Sequence, residues 1–243
     1  MQTDPILEEY RRVQTKPVIE PSVLTVISKL AQKRLETNDV RRPLQPAARK
    51  KLEILASGKL VAGAGIDLEK SRLRQLAFTR IAIEKRTIQQ RGYSDDTAMC
   101  IVGYTDNVYM EEYGRGTIVE GIWDMGQYEI VVPIPDIPSG KIVRVSFLHV
   151  GDEDNYARHP HHTVHSTCWS GFADSVIGAM RDAEIAELMR TLRIFVGRYY
   201  SGSPLCHDWS GACVVRRRNS KLEKNSTPMQ NRIPRPVLAQ APF

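Results

Sequence analysis

Five of the six histidines and three of the four cysteines of this 243-residue chain lie between His159 and Cys213. The densest stretch reads His159-Pro160-His161-His162-Thr163-Val164-His165-Ser166-Thr167-Cys168-Trp169-Ser170-Gly171, and a second cluster reads Cys206-His207-Asp208-Trp209-Ser210-Gly211-Ala212-Cys213. Imidazole nitrogens and thiolates are tetrahedral zinc ligands, and His161, His165, Cys168, Cys206, His207 and Cys213 hold enough donors for one such site. The spacing argues against it. Cys206 and Cys213 are seven apart, so there is no Cys-x2-Cys pair, and no His-Glu-x-x-His helix exists. The competing chemistry is nucleophilic. A thiolate is the reactive form of cysteine, and neighbouring histidines or a following helix N-terminus lower its pKa. Cys168 has both kinds of neighbour in sequence. A Cys-His-Asp arrangement using Asp208 needs pairings that spacing alone does not supply.

The elements that must position these groups come from periodicity. Pro21-Ser22-Val23 opens a helix carrying Val23, Val26, Ile27 and Leu30, a proline-rich linker follows at 42–46, and a short helix spans 47–56. The glycines of Val61-Ala62-Gly63-Ala64-Gly65 do not make a phosphate loop, because Glu69 precedes Lys70-Ser71 where a glycine is required. Asp67 instead reads as the cap of a helix over 68–90. Its apolar face is Leu73, Leu76, Ala77, Ile81 and Ile83; its opposite face carries Arg72, Arg74, Arg80, Lys85, Arg86 and Arg91, a solvated face or a docking surface for an acidic or ubiquitin-like partner. Beyond Gly92 the period changes to that of strands, with β-prone runs at 98–104, 108–113, 117–123, 128–133 and 142–149 joined by short turns, the pattern of an antiparallel meander. The proline-rich run Pro133-Ile134-Pro135-Asp136-Ile137-Pro138 lacks ladder donors and reads as a crossover or edge. An irregular His/Cys loop and one long amphipathic helix over 173–200 complete an α+β order.

This order of features resembles the ubiquitin-conjugating enzyme fold, in a divergent form of the bacterial and phage type. The resemblance is carried by Tyr128 to Pro135, Val143-Arg144-Val145-Ser146-Phe147, His159-Pro160-His161, then Cys168-Trp169 and a long helix, over roughly 68–205. In that family a helix precedes a four-stranded meander, a proline-rich segment joins the third and fourth strands, and a His-Pro-Asn motif stands several residues before the catalytic cysteine. The resemblance implies that Cys168 holds a ubiquitin-like protein as a thioester, that His159 and Pro160 shape the adjoining loop, and that His161 stands where the family has an oxyanion-stabilising asparagine. Two departures from the pattern are His161 itself and Ser139-Gly140-Lys141 in place of a double proline.

Composition sets the outer limits. The chain is 42% hydrophobic and 26% charged, which excludes a wholly disordered chain, a collagen-like repeat and a coiled-coil rod. No apolar run is long enough to span a bilayer, and Met1-Gln2-Thr3-Asp4-Pro5 lacks the start of a secretory signal, so a cytoplasmic protein with free thiols and no membrane partner is expected. The whole net charge of +6 is accounted for by residues 214–243, leaving the body neutral. Nucleic-acid contact is therefore expected only through the basic tail.

The expected organisation is a helical extension at 1–66, an α+β ubiquitin-conjugating-like domain at 67–213, and a basic flexible tail at 214–243. It has a helix, a four- to five-stranded antiparallel meander, the irregular loop and a long C-terminal helix. The expected activity is modifier transfer through Cys168, with His161 and His159 beside it, a ubiquitin-like protein and its activating enzyme as partners, and no cofactor. The alternatives are a non-catalytic interaction or assembly protein that keeps the fold, such as a virion component, and a zinc-stabilised binding module using His161, His165, Cys206 and Cys213.

Overall fold

A computed structural model describes residues 17–37, 43–57, 65–88, 96–113, 119–150, 159, 161–163, 166–198 and 215–217. Helix α1 (Pro21–Glu36) starts on a proline whose fixed φ suits the first helical turn. Val23, Ile27, Leu30 and Ala31 then fall on one buried stripe, and Lys33 and Arg34 complement the dipole in the last turn. Helix α2 (Pro46–Ala56) repeats the proline start and buries Leu52 and Leu55. Both agree with the periodicity. Neither is peripheral: their apolar residues join the same core cluster as the sheet and the later helices. The short strand β1 (Val18–Ile19) runs parallel to the first long strand, Val18 opposite Arg80.

The helix expected over 68–90 is two elements. Helix α3 (Gly65–Leu73) ends early, and strand β2 (Phe78–Ile88) takes the remainder. Asp67 lies inside α3 rather than at its cap. Thr79, Ile81, Ile83, Thr87 and Ile88 are β-branched and stiff at χ1, which favours a pleated strand. Strand β3 (Asp96–Thr105) supplies an antiparallel partner from Phe78↔Thr105 to Ile88↔Asp96. The basic helical face consequently does not form. On β2, Arg80 pairs with Glu20 and Glu84, and Arg86 pairs with Glu84 and Glu129.

Strands β4 (Tyr109–Tyr113) and β5 (Val119–Asp124) leave the main sheet and pair with each other, Met110 opposite Trp123. Strand β6 (Tyr128–Pro133) returns to pair with β3, and β7 (Ser146–His149) closes the edge, giving the order β1-β2-β3-β6-β7. The sheet is mixed, with one parallel pair at β1 and antiparallel pairs elsewhere. Between β6 and β7 the proline-rich run forms a 3-10 helix (Ile134–Ser139), and a second 3-10 turn (Ile142–Arg144) shortens the expected strand 142–149 to its last four residues. Gly140, at φ 66°, makes the turn between them.

Helix α4 (Ala173–Arg181) and helix α5 (Ile185–Val196) replace the single helix expected over 173–200. The break is a Schellman turn: the Glu184 N–H donates to the Ala179 carbonyl at 2.9 Å and the Ala183 N–H to Met180 at 3.0 Å. Ala183 occupies the left-handed position at φ 55°. Helix α5 begins on a buried carboxylate, Glu69 Oε1, which accepts the Ala186 N–H at 2.8 Å. One sheet face, carrying Ile81, Ile101, Ile130, Val132 and Phe147, packs into the core shared with the helices. The other face carries Ala98, Cys100, Val102 and Val131. At Gly103 the sheet and α5 lie close together, since a Cβ there would meet Met189 Cε at 2.5 Å and, within the sheet, Phe78 Cε1 at 2.6 Å.

Strand β10 (Val215–Arg217) pairs antiparallel with β5, Arg216 opposite Trp123. The rest of the tail lies outside the described residues. No helix among the described residues is long and apolar enough to cross a membrane.

Candidate active site

The site is built where edge strand β7 meets the loop that carries Cys168. His159 and His161 are joined by a tight turn: the His161 N–H donates to His159 Nδ1 at 3.2 Å, and the His162 N–H donates to the His159 carbonyl at 3.0 Å. Strands β8 (His162–Thr163) and β9 (Ser166–Thr167) then form a two-stranded hairpin with His162 opposite Thr167. The chain leaves β9 at Cys168, whose N–H donates to the His161 carbonyl at 2.7 Å. Trp169 follows, and a 3-10 turn (Ser170–Phe172) leads into α4.

An aromatic cluster holds this loop down. Phe195 of α5 stacks on the His159 ring at 4.9 Å and lies 5.1 Å from Phe147, 5.3 Å from Trp169 and 5.6 Å from Phe172. Such contacts combine apolar burial with the favourable geometry of ring pairs. His159 is fully buried and His161 is 2% exposed. Their ring centroids lie 5.9 Å apart, the planes tilted by 51°.

Cys168 is a free thiol and half-buried. Cys100 contrasts with it: it is fully buried on the far face of the sheet, and burial pushes its thiol up to about 11. An exposed fraction is a precondition for nucleophilic work, and of these two thiols Cys168 alone meets it.

The sequence-derived candidates Cys168, His161 and His159 thus come together, though their contacts differ from a simple imidazole-beside-thiol picture. His161 reaches Cys168 through its backbone carbonyl, while its ring packs inward against His159. A residue absent from the sequence-derived set, His162, contacts both the hairpin and β7: its Nε2 accepts the Phe147 N–H at 3.3 Å, and its Nδ1 lies 2.5 Å from Thr167 Oγ1. In the sequence it stood as one histidine among several in the stretch 159–171, with nothing to set it apart. For the zinc alternative, no three His, Cys, Asp or Glu side chains converge among the described residues. His165, Cys206, His207, Asp208 and Cys213 lie outside them, as does Pro160.

Comparisons of the chain with protein-family models, with curated proteins and with solved structures find no match.

Proposed function

We propose that the chain is a ubiquitin-conjugating-like protein that carries a ubiquitin-like modifier as a thioester on Cys168. The observation that carries the reading is an ordered one. A helix (α3) precedes four antiparallel strands lying side by side in chain order (β2, β3, β6, β7), with a proline-rich 3-10 connection between the last two. Then come the buried His159 and His161, the half-buried free thiol of Cys168, a 3-10 turn and two helices. The reaction is transthiolation: the Cys168 thiolate attacks a modifier's C-terminal thioester carbonyl, the tetrahedral oxyanion collapses, and the carrier thiolate leaves. His159 and His161 act as organisers of the loop, because buried rings do not reach an incoming carbonyl in this conformation.

The test uses ubiquitin as its C-terminal mercaptoethanesulfonate thioester, and ubiquitin charged on its activating enzyme. The expected product is a covalent adduct released by dithiothreitol. Cys168→Ala abolishes it, and Cys168→Ser converts it to a dithiothreitol-resistant ester or abolishes it. A dithiothreitol-sensitive adduct on either variant assigns the nucleophile elsewhere.

A second reading, a non-catalytic assembly protein keeping the same architecture, is favoured by the inward-turned ring of His161 at the position where the family has an amide. Unchanged partner capture by Cys168→Ala, with no adduct on the unmodified protein, selects it.

A further inference from the structure

We infer that His162 is a positioning residue for the Cys168 thiol, its imidazole tying the hairpin that ends at Cys168 to the edge strand of the main sheet. Strand β7 is the outermost strand on its side, and an edge strand presents N–H groups that the sheet does not pair. The Phe147 N–H meets His162 Nε2 at 3.3 Å. A neutral imidazole has one donor and one acceptor nitrogen. Acceptance at Nε2 therefore assigns the proton to Nδ1, which donates to Thr167 Oγ1 at 2.5 Å. The tautomer follows from its two partners.

The imidazole is 2% exposed and stands edge-on to the Phe147 ring at 5.0 Å. Thr167 is the residue immediately before Cys168 and the cross-strand partner of His162. One side chain thus joins the sheet edge to the peptide that leads into the thiol. The Cys168 N–H donates to the backbone carbonyl of His161, whereas His162 ties the hairpin to the sheet through its side chain. Without the imidazole, the Phe147 N–H loses its partner in a buried setting, and a buried donor left unmade is disfavoured more strongly than an exposed one.

The biological meaning of this role rests on the proposed transfer reaction, so the experiment has a readout independent of it. In the full chain, His162→Gln keeps a carbonyl able to accept near the position of Nε2. His162→Asn reaches Thr167 but is too short for Phe147. Thr167→Val removes the other partner. The readouts are the iodoacetamide labelling rate at Cys168, measured by peptide mass spectrometry, and transfer from ubiquitin mercaptoethanesulfonate thioester. Labelling of the fully buried Cys100 reports loss of the fold.

The expected result is a shift of about fivefold or more in Cys168 labelling for His162→Asn, the scale of one lost hydrogen bond. Transfer falls in parallel, His162→Gln restores both, and Cys100 stays unlabelled. Equal Cys168 labelling in Asn, Gln and unmodified proteins overturns the role. So does a change confined to variants that also expose Cys100. If both His162 variants expose Cys100, Thr167→Val decides: a Cys168 shift with Cys100 protected supports the role, and no shift overturns it. Absence of transfer in the unmodified protein, with the labelling pattern intact, removes the transferase reading and leaves the positioning role standing.

Discussion

The Cys168 N–H donates to the His161 carbonyl at 2.7 Å, so the two residues that the sequence marks out as nucleophile and helper meet through their backbones. The side chain of Cys168 is half-buried and is not part of either buried core cluster. Cys168→Ala is therefore expected to leave the denaturant midpoint within about 0.5 kcal/mol of the unmodified protein, the usual range for substitutions away from buried features. Urea unfolding measures this, and a larger loss would show that the sulfur belongs to the core.

Phe195 carries the opposite expectation. It is 2% exposed and contacts His159, Phe147, Trp169 and Phe172. Phe195→Ala is expected to cost about 3–5 kcal/mol from lost burial and the cavity left behind. Because the cluster sits under the loop, Cys168 labelling should change in the same variant well before global unfolding in a denaturant series.

Ala183 adopts φ 55° at the C′ position of the turn between α4 and α5, a position that glycine occupies without a Cβ penalty. The residue is also 3% exposed, so some packing is lost with its methyl group. Ala183→Gly is expected to raise stability by up to about 1 kcal/mol, the scale of the left-handed penalty for an L-residue. Thermal unfolding reads the sign directly. A clear fall in melting temperature would mean that methyl packing outweighs the backbone strain.

Cys100 sets an alkaline limit. Burial, as the largest cause, raises its thiol pKa in the folded state to about 11. The folded protein then holds this proton more tightly than the unfolded chain does. Stability is fully present below the ordinary thiol value of 9.0 and falls as pH rises through the window up to about 11, by an amount on the order of 3 kcal/mol. Cys100→Val removes this slope. Urea midpoints from pH 8 to 10.5 check it, and a slope unchanged by the substitution would assign the alkaline loss to another group, such as Tyr104, whose hydroxyl burial pushes up to about 12.

Much of the architecture was legible as local chemistry. Apolar residues three and four apart after Pro21 defined α1, the segment 47–56 was readable as the short helix α2, and β-prone runs around Cys100 and Val131 marked two central strands. The candidate residues were legible too, as a crowd of imidazoles and thiols within one stretch. Their roles were not. Whether His161 points at a thiol or at His159 depends on Phe195, 34 positions later, and on the edge of β7, and neither is encoded in the loop itself.

The sequence by itself determined the supply of elements, the neutral body and basic tail, and the thiol with its histidine neighbours. Tertiary structure decided the rest wherever a segment had two acceptable local states. Residues 78–88 fit a helical stripe and a strand, and became β2 because β3 offered a full antiparallel ladder. Residues 173–196 fit one helix, yet break at Ala183, where Ile185 begins a second buried stripe against the sheet. In each case local preferences differ by only a fraction of a kcal/mol per residue, and the backbone pairing and apolar burial available from distant parts of the chain exceed them.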